Sequence, residues 1–456
     1  MGQIDYGAIF LMAITIFVFM IPLFILFPPI PVDHRDALRQ THSRLGVPPQ
    51  GSNLRKARDG KGPLQSGKCP RIESLFIYPL KSCRGIELTR SKVLPSGLEY
   101  DRLYTFAQVI PRAPGSDLAK QSSKWEFLTL RQLPNLANVK VEIWLPDAAK
   151  KSRLLGSVED KFIVVRFPWQ NKGLSGLVQL LVAKLGRGLK AVPEKEFVLP
   201  LEFPSERDIE SRGYKFENVK IWVDDTRALN MSRDMPAELA SYLGAKNEIA
   251  LFRADPSNQR QVFRCAPSKE AIGYQPVVDF HDAASQSLCM RKRAIRSDNQ
   301  YKQYPIHLLS LSSLKALQTL APNYEVKENF DPRRFRGNII GAEAYDEDSW
   351  RTVKFKNPKM QDDFIAFDVS SRTVRCKLPN VDPDTGVRHK SEPDSTLRKH
   401  REIDEGAPKM GCLGMQLCPT FPDPDNILQP GSYVEVGMEA EVLERGSHFY
   451  IKQSLT

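Results

Sequence analysis

The longest uncharged run of the chain comes first. No charged residue stands between Tyr6 and Val32, and Tyr6–Phe27 is a stretch of 22 residues made mostly of Ile, Phe, Leu, Met and Ala. A helix crosses the hydrocarbon core of a bilayer with about 20 such residues, so the pattern predicts one transmembrane helix. Pro22 is placed to kink it, and Pro28, Pro29 and Pro31 to end it. The run lacks a basic leader and a small-residue cleavage site, and it is longer than the apolar core of a signal peptide. Further on, period-two alternation of apolar and polar residues predicts strands at 72–79, 86–94, 103–110 and 433–436, and near Ile221-Trp222-Val223. Ile365, Phe367 and Val369 alternate in the same way toward Thr373 and Val374. Helical spacing is found near Pro236–Leu243 and from Ser310, a suitable N-cap, to Leu320. Glu392–Glu405 is charged and predicts a loop with a short helix, and the Tyr345–Trp350 stretch a turn with a packing Trp. The resulting class is mainly β with α, an α+β chain.

Residues 33–68 are rich in Gly, Pro and Ser with little periodicity, which reads as a linker. They hold eight basic residues against three acidic ones, whereas only Asp5 and the amino terminus precede the apolar run. By the positive-inside rule the C-terminal body then faces the cytosol. Within residues 145–215, Leu174, Leu177, Val178, Leu181, Val182, Leu185 and Leu189 follow helical spacing beside Lys172, Lys184, Arg187 and Lys190. Such a basic amphipathic helix either lies on a membrane or packs its stripe on its own domain. Residues 256–300 are polar and basic and read as a connection.

The 456 residues suffice for two or three domains, and 41% hydrophobic with 26% charged residues is ordinary for a folded body. A net charge of +11 suits anionic ligands or an anionic membrane surface. No zinc-finger spacing, helix-turn-helix or RNA-binding aromatic motif is present, so nucleic acid is not an expected partner. Seven scattered cysteines do not resemble a secreted disulfide framework.

One cysteine carries most of the chemical interest. Cys376 ends the alternating strand, follows Arg375, and precedes Val381-Asp382-Pro383-Asp384-Thr385-Gly386, a dense run of turn residues. An adjacent cation favours the thiolate, which attacks electrophiles or binds soft metals. A lone cysteine is equally a common small core residue. A second polar cluster, Lys81-Ser82-Cys83-Arg84-Gly85, follows the first strand, and Asp101-Arg102 precedes another. Two cations and a hydroxyl suit a phosphate.

Arg-Cys-x4-Val-Asp-Pro-Asp-Thr-Gly at 375–386 resembles the signature of the MOSC domain, in the branch that contains the mitochondrial amidoxime-reducing component. Tyr78-Pro79-Leu80-Lys81-Ser82-Cys83, Asp101-Arg102, Phe335-Arg336-Gly337-Asn338 and the late stretch Gly411–Leu417 match that family in chain order. The resemblance implies an N-terminal β-barrel domain over 69–255, with an insertion at about 145–215, and a MOSC β-barrel domain over 256–456, behind an anchor at 1–32 and the linker at 33–68. It implies that Cys376 ligates molybdenum in a molybdenum–pterin cofactor. Lys81, Ser82, Arg102, Arg336, Asn338, Arg375 and Gln416 are implied as cofactor contacts. Departures from the family occur at Val374, at Gln303-Tyr304 and at Gln416, where polar residues or a tyrosine are usual. His307 stands near these positions as a possible proton donor.

The activity so implied is reduction of N-hydroxylated, amidoxime-type compounds, with electrons from a b-type cytochrome and its NADH-linked flavin reductase. The implied location is the mitochondrial outer membrane, single-pass, with the body facing the cytosol. Two other readings stand beside it. Cys376 carries a persulfide for sulfur transfer, as in MOSC domains fused to cofactor sulfurases, where pyridoxal phosphate binding is a family-level possibility. Alternatively the chain is a non-catalytic cofactor-binding membrane protein.

Overall fold

A computed structural model describes residues 6–26, 34–60, 70–110, 124–150, 159–222, 224–263, 265–281, 304–322, 330–341, 343–421 and 432–449. Pro28, Pro29, Pro31, Cys69, Cys289 and Gln303 lie outside these residues, as do parts of the expected linker, insertion and connection. The architecture is mixed α+β and mainly β.

Its main sheet has eight strands, in the order Glu439–Arg445, Trp350–Asn357, Met360–Val374, Cys412–Thr420, Ile306–Leu309, Ile339–Gly341, Ile72–Ile77, Ile86–Leu88. Met360–Val374 is the longest, and Ile365, Phe367 and Val369 fill the core from one face as their alternation requires. Trp350 is fully buried, and its indole N–H donates to Asp346 Oδ2 at 2.8 Å, so the expected packing Trp is in place. Ser310 caps the helix Leu311–Thr319 by accepting from Ser313 N, also as expected.

A closed five-strand barrel is formed by Lys215–Ile221, Asp224–Asn230, Ile249–Ala254, Tyr104–Val109 and Trp125–Phe127. Its interior packs Trp125, Phe127, Val219, Phe252 and Phe280. The C-terminal strands do not repeat this closure: the expected second barrel is the open eight-stranded sheet. The division between halves is also less sharp than expected. Ile72–Ile77 and Ile86–Leu88, assigned to the N-terminal domain, pair into the C-terminal sheet, where Ile339 stands opposite Leu75. Lys215–Ile221 and Asp224–Asn230 form a hairpin of the barrel, with Trp222 at a positive φ of 63° where the chain leaves the first strand.

The linker expectation is corrected more strongly. His42–Arg44 pairs with Lys140–Pro146, and the helix Asn53–Arg58 buries Leu54 and Ala57 against Phe76 and Tyr78. These contacts join only a few apolar residues over a long stretch, so periodicity gave no sign of them. His42–Arg44 completes a four-stranded antiparallel sheet with Lys140–Pro146, Phe162–Pro168 and Glu194–Pro200. The expected insertion and the expected linker thus form one structural unit. Glu439–Arg445 was missed because its charged residues line a sheet edge and only Ala440 is buried.

The helix Tyr6–Leu26 forms over the uncharged run, with Pro22 inside it. Its described side chains are Tyr6–Met20 and Pro22. Among the described residues no helix is long and apolar enough to cross a membrane, so the fold does not support the transmembrane expectation.

Two carboxyls are buried in the sheet region. Burial pushes Glu347 up to about 7 despite a 2.6 Å hydrogen bond from Ser313 Oγ, and pushes Glu73 up to about 7 against the pull of Lys315. A carboxyl whose pKa is raised by folding stabilises the fold below its unfolded pKa, and that contribution is lost as pH rises through the folded value. Thermal stability is therefore expected to decline between about pH 4.5 and 7 through these two groups. Glu347→Gln, which is neutral at every pH, should flatten that decline in calorimetric scans from pH 5 to 8. A variant curve parallel to the wild type would assign the decline elsewhere.

Candidate functional site

The strands that meet at one end of the main sheet build a small cavity of about 80 Å³. Val374 ends the long strand and Arg375 and Cys376 follow it directly. His307 and Gln416 stand opposite each other on neighbouring strands, and Asn338 immediately precedes Ile339. The cavity is lined by these residues together with Arg102, Arg131, Trp222, His281, Tyr304, Phe335, Arg336, Thr373, Leu378 and Pro379. Its only charged lining groups are arginines, so it is built for an anion.

Cys376 is half-buried, and its Sγ accepts from Leu378 N at 3.4 Å. Cys83, Cys412 and Cys418 are buried in the core, and burial pushes the Cys412 thiol up to about 12 and the other two higher. Arg375 turns its guanidinium inward. Nη2 donates to Phe335 O at 2.7 Å, Nη1 lies 3.5 Å from His307 Nε2, and the group stacks 5.1 Å from the Phe335 ring. Burial first, then the Arg375 charge, hold His307 well below the usual imidazole range, so its ring is neutral. Gly414 permits this approach: with φ at 83°, a Cβ there would stand 2.6 Å from His307 Nε2.

The loop after Cys376 is pinned from several sides. Asp382 Oδ1 accepts from Asp384 N at 3.0 Å and Thr385 N at 2.8 Å, the expected local turn bonding. Burial raises the Asp382 carboxyl, but these amides and Arg334 outweigh it and leave it below the usual range. Arg334 binds Asp382 Oδ2 at 2.7 Å, while Arg333 and Arg84 hold Asp384 at 2.5 and 3.0 Å. Asn138 Nδ2 donates to Thr385 O at 2.9 Å from the N-terminal half. Gly386 closes the turn at φ 70°.

Asp101 organises the opposite wall. Its carboxylate accepts from Tyr78 N at 2.6 Å and Asn338 Nδ2 at 3.0 Å, pairs with Arg102, and lies 3.4 Å from His281 Nε2. Burial alone would raise it, yet Arg102 and His281 dominate and bring it down to about 2. Arg102 also donates to Asn338 Oδ1 at 3.3 Å. The Tyr78 ring lies between Arg336 and Arg102, at 4.1 and 5.3 Å from their guanidinium carbons. Arg336 donates to Cys83 O at 2.9 Å and borders a second, larger cavity of about 790 Å³.

Arg102, Arg336, Asn338, Arg375, Cys376 and Gln416 thus converge on one cavity. Gln416 donates to Thr373 Oγ1 at 3.0 Å. Lys81 and Ser82 do not line it. Lys81 is fully buried, donates to Phe280 O at 2.8 Å and stands over the Phe127 ring. Ser82 is buried at φ 67° with an Oγ that has no hydrogen-bond partner among the described residues. Sequence reasoning missed Asp101 as a hub, and also His281, Arg131 and Trp222. Only Asp101 carried a signal, its place beside Arg102.

A molybdenum–pterin group fits this wall in chemistry: arginines for a phosphate, a thiol for a soft metal, and a buried polar atom, Trp222 Nε1, without a hydrogen-bond partner among the described residues. The cavity is far below the roughly 300–1,000 Å³ of small-molecule pockets, so accommodation requires the lining to open toward the larger cavity that shares Arg336.

Residues 69–172 match the profile described as the MOSC N-terminal beta barrel domain, and residues 289–441 the MOSC domain. A human protein named mitochondrial amidoxime reducing component 2 is 32% identical over 340 residues, 73% of each chain. The bovine protein of that name is 25% identical over 335 residues, again 73% of each. A molybdenum cofactor sulfurase of Arabidopsis thaliana is 21% identical over 370 residues, 76% of this chain and 35% of that protein.

The Asp101 hub yields a direct test. Removing one partner of a buried ion pair costs about 3–5 kcal/mol, so Asp101→Asn should lower stability by that order in denaturant titrations. Because the Asp101 pKa is depressed to about 2, its contribution is present above the ordinary carboxylate range and lost as pH falls toward that value. The wild-type and variant stabilities should therefore converge in acid. An Asn variant as stable as wild type at neutral pH would remove Asp101 from this role.

Proposed function

This chain belongs to the MOSC family, and from that premise we propose that it is a molybdenum–pterin-dependent oxidoreductase that reduces N-hydroxylated, amidoxime-type compounds. The observation that carries the reading is the place of Cys376: a half-buried thiol at a strand end, on the wall of an arginine-lined cavity. Relatives named amidoxime reducing components support the same activity. When bound, the cofactor supplies two-electron oxygen-atom transfer, so that R–NH–OH with two electrons and two protons becomes R–NH2 and water.

The chain's own residues have distinct parts in this proposal. Cys376 gives the metal one soft thiolate ligand. Arg102 and Arg336 bind the phosphate end, while Lys81 and Ser82, which lie off the cavity lining, back the wall, Lys81 through its bond to the Phe280 carbonyl. Asn338 holds Arg102 in place, and Gln416 fixes the Thr373 side of the cavity. Arg375 is positioned by Phe335 and by neutral His307, which orients the guanidinium rather than acting as an acid. Electrons come from a b-type cytochrome and its NADH-linked flavin reductase. The uncharged helix Tyr6–Leu26, exposed over Tyr6–Phe19, tethers the chain to a membrane with the body in the cytosol; the names of the relatives point to mitochondria, and the outer membrane is the surface this reading assigns. The N-terminal domain is assigned to 69–255 and the MOSC domain to 256–456, limits that reach beyond the matched regions 69–172 and 289–441.

A second reading, a Cys376 persulfide used in sulfur transfer, is favoured only by the cofactor sulfurase relative. Metal and pterin analysis of the purified chain separates the two. Molybdenum near one per chain supports the reductase, and a persulfide on Cys376 without metal supports transfer. Cys376→Ser should abolish turnover of a benzamidoxime substrate while the pterin largely stays, because serine removes the soft ligand but no arginine. Full activity of the serine variant would end the reductase reading. Arg336→Ala should lower pterin content about ten- to hundredfold in affinity, the scale of a charge-assisted hydrogen bond of roughly 1.5–3 kcal/mol. Unchanged pterin content would return Arg336 to a structural part.

A further inference from the structure

We infer that the helix Leu174–Arg187 is a second membrane-contact element, which lays its apolar face on an anionic lipid surface. The stripe of apolar residues at helical spacing faces outward rather than into the fold. Leu174, Leu177, Val178 and Leu181 are exposed by 82, 55, 51 and 60%, and the patch continues through Leu189 and Val192 at 86 and 56%. The helix meets the body through its other side, where Gly176 and Ala183 are buried and Gln179 and Leu180 half-buried. At about 100° per residue the two sets lie on opposite sides of the helix. Of the two alternatives the sequence left open, packing on its own domain does not hold for Leu174, Leu177, Val178 and Leu181. An exposed apolar patch of this kind calls for a cover.

Charge selects the cover. Between Arg166 and Glu194 there is no acidic residue, while Lys172, Lys184, Arg187 and Lys190 are exposed around the patch. An apolar face with exposed Lys172, Lys184 and Lys190 beside it matches an anionic bilayer, which offers both acyl chains and negative headgroups. Position agrees with it. The helix joins Phe162–Pro168 to Glu194–Pro200, and Arg187 lies 3.6 Å from Glu194. Two residues on, Glu196 accepts from His34 N and pairs with Arg35 at 3.3 Å. Only eight residue steps separate Leu26 from His34, a reach of roughly 28 Å at full extension. The end of the N-terminal helix is thus tied near the exposed stripe. This last argument, unlike the first two, rests on the tether reading.

Hydrogen exchange of the full chain in vesicles tests the inference. Phosphatidylcholine alone is compared with equimolar phosphatidylcholine and phosphatidylglycerol, and with detergent micelles. Amides of 174–187 should exchange about tenfold more slowly with phosphatidylglycerol than with phosphatidylcholine alone. Leu177→Gln with Leu181→Gln should abolish that protection, and Lys172→Glu with Lys184→Glu and Lys190→Glu should weaken it. All these side chains are exposed, so unchanged melting temperatures confirm that the variants fold. Equal exchange in both vesicle types, with the chain inserted, overturns the inference and leaves the tether intact. Protection that rises with protein concentration in micelles also overturns it, because the stripe then contacts protein. Protection by phosphatidylglycerol in a chain that ignores neutral vesicles supports it and removes the tether.

Discussion

The site depends on a carboxylate that has been taken out of water. Asp101 is almost fully buried, and burying a charge costs several kcal/mol unless partners offset it. Here the partners are the very groups that shape the cavity. Arg102 supplies the countercharge, Asn338 and the Tyr78 amide donate hydrogen bonds, and His281 closes the set. Each partner belongs to a different segment: the turn before Tyr104–Val109, the entry to Ile339–Gly341, the end of Ile72–Ile77, and the stretch after Val277–Val278. One buried charge therefore locks four segments in register. It also explains why Asn338 is satisfied within the protein on every side yet still lines the cavity.

The Cys376 loop is secured on the same principle, carboxylates held by arginines from other segments. Its two carboxylates face three arginines, of which Arg84 comes from the N-terminal half and Arg333 and Arg334 from the segment before the Ile339 strand. A loop held by such pairs keeps a half-buried thiol at a fixed depth without burying it in apolar surroundings. The three core cysteines show the alternative, since burial drives their thiols upward and keeps them protonated.

How much of this was legible in the sequence follows from range. The strand into Cys376, the Asp382 turn and the Ser310 cap rest on residues within about four positions of each other, where propensity and local hydrogen bonding act. They read correctly. The seating of His42–Arg44 against Lys140–Pro146, the transfer of Ile72–Ile77 to the C-terminal sheet, and the Asp101 hub depend on partners about a hundred or more residues apart. No period in one segment reports such a partner. The outward stripe of Leu174–Arg187 was ambiguous for a related reason. Spacing shows that an apolar face exists, but which side meets the body is set by the tertiary fold, which buries the small residues Gly176 and Ala183 on the opposite side. Lys81 was read from its motif as a cation facing a phosphate, and the fold instead spends its charge on the Phe280 carbonyl.

The charge inventory of the cavity also constrains the reaction proposed for it. Its cations are arginines, which stay charged throughout the range in which proteins fold. Affinity for an anionic group should then vary little with pH. Its two histidines are held below the usual range, by burial in both cases and by Arg375 at His307. Neither stores a proton at neutral pH. Tyr78 is pushed up to about 12 and Tyr304 is raised as well, both by burial, so the phenols hold their protons firmly. A reduction that consumes two protons in this setting must draw them from solvent reaching the cavity. Arg336 borders both the small cavity and the large one, so under the proposed reaction an opening at that wall would serve twice, admitting solvent protons and giving a pterin room to fit.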